Sequence, residues 1–301
     1  MISSTTFPVQ SPVCGVGEQI RTDYDAERRI YWVCLKPAPR PCFTPILLHE
    51  CREVHADLVR HASLGGEAIE FMVVCSDIPG VFNLGGDLHL FLNLIERADR
   101  NGLLAYAKAC IDLVYQQSVH LHLPLTTIAL VQGDALGGGF EAALSCNVII
   151  AEKQAQFGLP EILFNLIPGM GAYNFLAQRI GPVRAEQMIL SGKIYSADEL
   201  FEMGIVDVIA EPGAGVTALQ AYTDRAAKYR NGYQAIQRVR SRLNPIRHDE
   251  LMAVGNIWVD AALALTPKDL KVIQRLIRAQ DRRFSANPIA DEVSPSLYAE
   301  A

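Results

Sequence analysis

The feature that most restricts the fold is an alternation of two kinds of segment. Short, β-rich and largely apolar runs occur at residues 68–75 (AIEFMVVC), 126–131 (TTIALV) and 148–151. Runs of this length without polar alternation read as strands covered on both faces. Between them lie helical patterns at 46–62, 87–95 and 102–119, with Leu47, Cys51, Val54 and Leu58 on one face of the first. The third places Leu104, Ala107, Ile111 and Val114 together. Strands alternating with helices predict crossover units and a mostly parallel sheet, hence an α/β fold. A strand is also expected at 29–35, ended by Pro37, Pro39 and Pro41. Beyond Pro182 the pattern turns helical, with one strand-like run at 206–210. The expected organisation is a loose segment at 1–20, an α/β core at 21–210 and a helical part of the same domain at 211–301.

Composition narrows the class. Half of the 301 residues are hydrophobic and 20% are charged, as in an ordinary globular protein. No apolar run approaches the ~20 residues of a spanning helix, and the N-terminal stretch does not resemble a secretory signal. Seven cysteines, an odd number without a Cys-x-x-Cys pair, argue against a disulfide framework or a zinc site. Reduced thiols in the cytoplasm are expected, with no metal and no cofactor. The net charge is −6, but residues 221–283 carry 13 basic and 6 acidic side chains. Nucleic acid is a poor partner for so acidic a chain, whereas an acidic partner for the basic segment is a fair one.

The chemistry concentrates between Val131 and Glu161. There a strand runs into Gly137, Gly138 and Gly139, and a helix starts with Glu141 in its first turn. Backbone N–H groups at such a helix start are uncovered and attract developing negative charge. A tight turn with no ligand is the competing reading, and a P-loop is excluded because no Gly-Lys-Ser/Thr follows. A second glycine segment, Val81-Phe82-Asn83-Leu84-Gly85-Gly86-Asp87, also stands between a strand and a helix. Two such loops at neighbouring strand ends could each give one donor to an enolate-like oxygen. Asp87 alone reads as a helix cap. Glu141 and Glu161, 20 residues apart, could divide acid and base roles if burial keeps one protonated. His120 and His122 lack a third ligand at useful spacing, no cysteine has the setting of a nucleophile, and Ser145 reads as core.

Taken together, three strings resemble the crotonase (enoyl-CoA hydratase/isomerase) superfamily: Ala135-Leu136-Gly137-Gly138-Gly139-Phe140-Glu141, Gly158-Leu159-Pro160-Glu161 and Ile167-Pro168-Gly169-Met170-Gly171. The resemblance continues through Ser191-Gly192-Lys193 to Gly204-Ile205-Val206-Asp207. Within the superfamily the chain is most similar to bacterial diffusible-signal-factor synthases. That likeness rests on residues 81–88, on Phe140–Cys146, on Pro168-Gly169-Met170-Gly171-Ala172-Tyr173, on Ile257-Trp258-Val259-Asp260 and on residues 275–280.

The resemblance implies a crotonase-like spiral of ββα units with a helical C-terminal trimerisation part, assembling as a homotrimer or a dimer of trimers. It implies dehydration of a 3-hydroxyacyl group on acyl carrier protein to a cis-2-enoyl group, then hydrolysis to a free fatty acid used as a quorum signal. It places the catalytic pair at Glu141 and Glu161 and the oxyanion donors at Leu84 and Gly138. It places substrate contacts at Gly85, Gly86, Leu136, Gly137, Met170 and Trp258. Leu84 is bulkier than the small residue hydratases carry. Pro39-Arg40-Pro41-Cys42-Phe43-Thr44-Pro45 departs from a segment that in hydratases contacts coenzyme A, which favours a carrier-bound substrate. A sensor kinase is a further partner implied by the family. The alternatives are an enoyl-CoA hydratase of fatty-acid oxidation and, from another class, a regulatory binding module on the same scaffold.

Overall fold

The structure, a computed structural model, describes residues 11–285. The apolar runs form the inside of a seven-stranded sheet. Its strands are β1 (Gly15–Val16), β2 (Ile20–Asp25), β3 (Ile30–Leu35), β4 (Phe71–Ser76), β6 (Thr126–Val131), β8 (Val148–Glu152) and β11 (Val208–Ala210). The order follows the chain, β1-β2-β3-β4-β6-β8-β11. Every pair from β3 onward is parallel, while β1, β2 and β3 pair antiparallel. The mostly parallel expectation therefore holds except at this edge. There β2 (IRTDYD) carries charges on a half-covered face, unlike the buried inner strands. The pairing of Gly15–Val16 also shows order within the segment expected to be loose.

A second sheet, ordered β10-β9-β7-β5, is built from three-residue strands. These are β5 (Val81–Asn83), β7 (Asp134–Leu136), β9 (Gln156–Gly158) and β10 (Ile194–Ser196). Each long strand feeds a short one: β4 leads to β5, β6 to β7, and β8 to β9. Helix α2 (Leu88–Glu96) follows β5, and α4 (Gly138–Ser145) follows β7. This repeat is the crotonase-like ββα spiral. The segments that follow β5, β7 and β9 all contribute residues to one cavity.

Helices α1 (Pro45–Ser63) and α3 (Arg100–Ser118) cover one face of the long sheet. Thr44 caps α1, accepting the Leu47 N–H at 3.0 Å. Asp87 caps α2 as expected, accepting from His89 and Leu90. The remaining helices are α5 (Ala172–Ile180), α6 (Pro182–Ser191), α7 (Ala197–Glu202), α8 (Gly215–Lys228), α9 (Arg230–Leu243), α10 (His248–Leu263) and α11 (Pro267–Ser285). Leu219 and Ala226 of α8 pack on Ile128, Leu130 and Ile150 across the other sheet face.

Two helices position the site. Helix α10 packs on α3, and α11 packs on α2 and on the 3-10 turn Pro160–Phe164. Ile273, Leu276 and Ile277 of α11 are buried with Leu84, Leu88, Phe164, Leu166 and Trp258. Burial of each such side chain contributes about 1.5–3 kcal/mol, enough to seat a helix whose other face is charged. Asp281 of α11 pairs with Arg40 at 3.3 Å and His89 at 3.4 Å, and Arg283 pairs with Asp134 at 2.9 Å. His120 and His122 lie in a 3-10 turn rather than on a strand, and His120 Nε2 meets Asn147 Nδ2 at 2.7 Å. All seven cysteines are free thiols. No helix among the described residues is long and apolar enough to cross a membrane.

Candidate active site

The short sheet brings both glycine segments and both glutamates to one cavity. Glu141 projects from the first turn of α4 and is 1% exposed. Its Oε1 accepts the N–H of Met170 at 2.7 Å and of Ala172 at 2.9 Å, the second at the start of α5. These bonds favour the ionised form, but burial outweighs them and pushes Glu141 up to about 7.

Glu161 sits in the 3-10 turn after Pro160. The residue as a whole is partly exposed, yet its carboxyl oxygen Oε2 is sealed from solvent and has no partner among the described residues. Burial first, then the charge of Glu141, raises it to about 8. Its Oε1 lies 2.7 Å from where a Cβ on Gly137 would stand, so only glycine leaves room for the carboxyl group. Gly137 also has φ +53°, a backbone region that favours glycine. The two carboxyl groups are therefore held differently: Glu141 Oε1 takes two N–H donors, whereas Glu161 Oε2 has no partner among the described residues.

Backbone donors belong to the same cavity, which Gly86 and Gly138 line with the two glutamates. Gly138 opens α4, and its N–H has no partner among the described residues, as expected at a helix start. The other segment corrects the sequence-based assignment. The Leu84 N–H donates to the Pro41 carbonyl at 2.7 Å and is not available to a ligand. The Gly85 N–H donates to Asn83 Oδ1 at 2.7 Å, and the Asp87 N–H to the Tyr106 hydroxyl at 3.1 Å. The Gly86 N–H alone is free among the described residues, and Gly86 lines the cavity. A Cβ on Gly138 would lie 3.6 Å from the Gly85 carbonyl carbon, the atom bonded to the Gly86 nitrogen. The two residues with free N–H groups are therefore neighbours, and Leu84, the position expected to donate, is not one of them. Leu84 contributes its side chain to the wall instead.

The cavity is small, about 50 Å³. Met170 and Trp258, singled out from the sequence, line it together with Gly137. Gly85 and Leu136 are not lining residues. They stand one layer behind, with the Leu136 carbonyl 2.9 Å from the Cβ position of Gly85. Sequence reasoning missed Leu88, Phe91, Tyr106, Cys110, Phe164 and Leu166. Most read as ordinary apolar positions of α2 and α3. Tyr106 carries the one usable signal, a polar tip within an apolar stripe, and its hydroxyl donates to the Phe43 carbonyl at 2.6 Å. Burial pushes the Cys110 thiol well up, so it is no nucleophile. Phe91 meets Trp258 at a tilt, with ring centroids 5.0 Å apart, and both rings line the cavity.

Comparison with known proteins agrees with this architecture. The family model described as enoyl-CoA hydratase/isomerase matches residues 36–252. The enoyl-CoA isomerase/hydratase claC of Penicillium crustosum is 31% identical over 276 residues, covering 88% of this chain and 28% of that protein. The fatty acid oxidation complex subunit alpha of Idiomarina loihiensis is 35% identical over 141 residues, or 46% of this chain and 19% of that protein. The chain thus spans well under a third of the length of these two relatives. Among solved structures, enoyl-CoA hydratase from Bacillus halodurans has a TM-score of 0.74 at 18% identity, covering 85% of this chain and 99% of that one. Human mitochondrial delta3-delta2-enoyl-CoA isomerase has a TM-score of 0.71 at 20% identity, covering 88% and 99%. These two likenesses concern the fold, and the family match over most of the core concerns descent: the chain belongs to the enoyl-CoA hydratase/isomerase family of the crotonase superfamily.

Proposed function

We propose that the protein adds or removes water at C2–C3 of an acyl thioester. The observation that carries this reading is the buried pair, Glu141 and Glu161, lining one cavity with Gly86 and Gly138, whose N–H groups are free among the described residues. Gly86 and Gly138 would polarise the thioester carbonyl, each donor contributing about 3 kcal/mol by comparison with measured oxyanion holes. In elimination, Glu161 takes the C2 proton and Glu141 protonates the departing C3 hydroxyl. In addition, Glu141 takes a proton from water and Glu161 delivers one to C2. One proton on the pair serves either direction, and shared burial keeps one there near neutral pH. The desolvation of two carboxylates argues against a binding module alone, because such a module has no need of them.

The finer reading is synthesis of a diffusible signal. A 3-hydroxyacyl group on acyl carrier protein loses water to a cis-2-enoyl thioester. Water held by the pair then attacks the carbonyl carbon, the C–S bond breaks, the carrier thiolate takes up the proton, and a free unsaturated acid leaves. The carrier is supported by charge. Lys268, Lys271, Arg275, Arg278 and Arg282 form an exposed stripe on α11, the helix packed on the Glu161 turn, while residues 1–220 carry a net −10. Acyl carrier proteins are acidic, so the stripe would steer one to the cavity.

The test is incubation of the purified protein with a 3-hydroxyacyl group on carrier protein or on coenzyme A, followed by mass spectrometry. Free 2-enoic acid from the carrier substrate is expected, with loss in Glu141→Gln and Glu161→Gln. An enoyl thioester without free acid would leave a hydratase. Unchanged thioesters would sink the reading.

A further inference from the structure

The Gly86 N–H is directed by its neighbours, and one of the groups that hold it is a side chain so far without a role. Asn83 ends β5 and is 0% exposed. Its Oδ1 accepts the Gly85 N–H at 2.7 Å, closing a turn of the side chain on the backbone two residues ahead. Gly85 takes φ +92° in that turn, and its carbonyl accepts the Phe43 N–H at 2.7 Å. Both ends of Gly85 are thus pinned, and the next residue, Gly86, lines the cavity with its N–H unpaired among the described residues. The other half of the Asn83 carboxamide is unpaired: Nδ2 is buried with no partner among the described residues. A buried donor without a partner costs stability, and an apolar side chain of the same shape would avoid that cost. An asparagine here is most simply explained by what its oxygen holds.

We propose that Asn83 is a positioning residue, whose Oδ1 fixes the Gly85–Gly86 peptide so that the Gly86 N–H meets the thioester oxygen. The inference rests on the acyl-thioester reading of the site. Asn83 touches no reacting atom in this scheme and acts only through the peptide. Displacing a donor by a fraction of an ångström weakens it without removing it, so the loss in kcat should be about 10- to 100-fold, below that of a deleted donor.

The experiment uses Asn83→Leu, which keeps the branched outline and removes the acceptor, and Asn83→Asp, which keeps an acceptor. Burial favours the neutral acid in the second, so it is read near pH 6. The probe is a saturated acyl analogue with CH2 in place of the thioester sulfur and a 13C-labelled carbonyl, followed by difference infrared spectroscopy. In wild type the carbonyl stretch should move to lower wavenumber on binding. In Asn83→Leu that shift should largely vanish and kcat fall, with KM changed less than about threefold; Asn83→Asp should keep the shift. A folded Asn83→Leu protein with the wild-type shift overturns the inference alone. So does loss of the shift in Asn83→Asp, including the case where Asn83→Leu does not fold. Absence of any shift in wild type overturns the site reading itself.

Discussion

Replacing Glu141 by Gln should make stability less sensitive to pH, and the size of the effect follows from its surroundings. The glutamine oxygen can still accept the N–H groups of Met170 and Ala172 at 2.7 and 2.9 Å. What disappears is the charge. In the folded protein Glu141 is raised from the ordinary 4.5 to about 7, mainly by burial. The folded chain therefore holds a proton that the unfolded chain has released. Stability falls as pH rises from about 4.5 through about 7, and above that the loss is complete. At about 1.4 kcal/mol per pH unit of displacement, the penalty at alkaline pH is roughly 3 kcal/mol. Removing the Glu141 charge also eases ionisation of Glu161, which acts in the same direction. The amide brings its own cost, a buried NH2 in place of an oxygen, but that cost does not vary with pH. Urea unfolding of wild type and Glu141→Gln at pH 5, 7 and 9 measures the effect. The variant should gain on wild type by about 2–3 kcal/mol between pH 5 and 9. Parallel pH profiles for the two proteins would refute the claim that Glu141 is held in the folded state against its charge.

Other expectations test the walls and the surface. Gly139→Ala should destabilise by several kcal/mol, as overpacking against backbone does, because its Cβ would stand 2.0 Å from the Asn83 carbonyl oxygen; a soluble variant with a wild-type melting curve would contradict this. Trp258→Ala should alter the acyl-chain profile rather than abolish turnover, since Trp258 walls the cavity with an apolar ring and carries no acid or base; an unchanged profile with only lowered stability would make it plain core. Reversal of Lys271, Arg275 and Arg278 together to Glu should slow turnover of carrier-bound substrate in a salt-dependent way and spare a short soluble thioester; equal loss on both would point to misfolding. The trimer implied by the resemblance would appear in light scattering as three times the 33.1 kDa chain mass, and a monomer at working concentration would contradict it.

The parts of the fold legible in the sequence are those whose cause is local. The inner strands β4, β6 and β8 announce themselves by unbroken apolar runs, and α1, α2 and α3 by helical spacing. The short sheet was illegible because three residues cannot display a period, and β2 because a half-covered strand next to the sheet edge tolerates charge. The same division holds in the site. Glu141 beside three glycines and Glu161 after Pro160 stand out in the string, and the fold brings them to one cavity. Which N–H of residues 84–87 is free does not stand out. It depends on Pro41, Asn83 and Tyr106 each taking up a neighbour's donor, and two of those three are distant in the chain. The wall residues Phe91 and Cys110 share the stripe of any buried helix, so only the tertiary packing separates pocket from core.

The central claim is that Glu161 moves the C2 proton while Glu141 serves the oxygen on C3. Its most direct test is deuterium exchange. A 3-hydroxyacyl thioester incubated in D2O with the protein and followed by NMR should acquire deuterium at C2 in wild type and retain its hydrogen with Glu161→Gln. Exchange at the wild-type rate in Glu161→Gln, or none in wild type, would contradict the account.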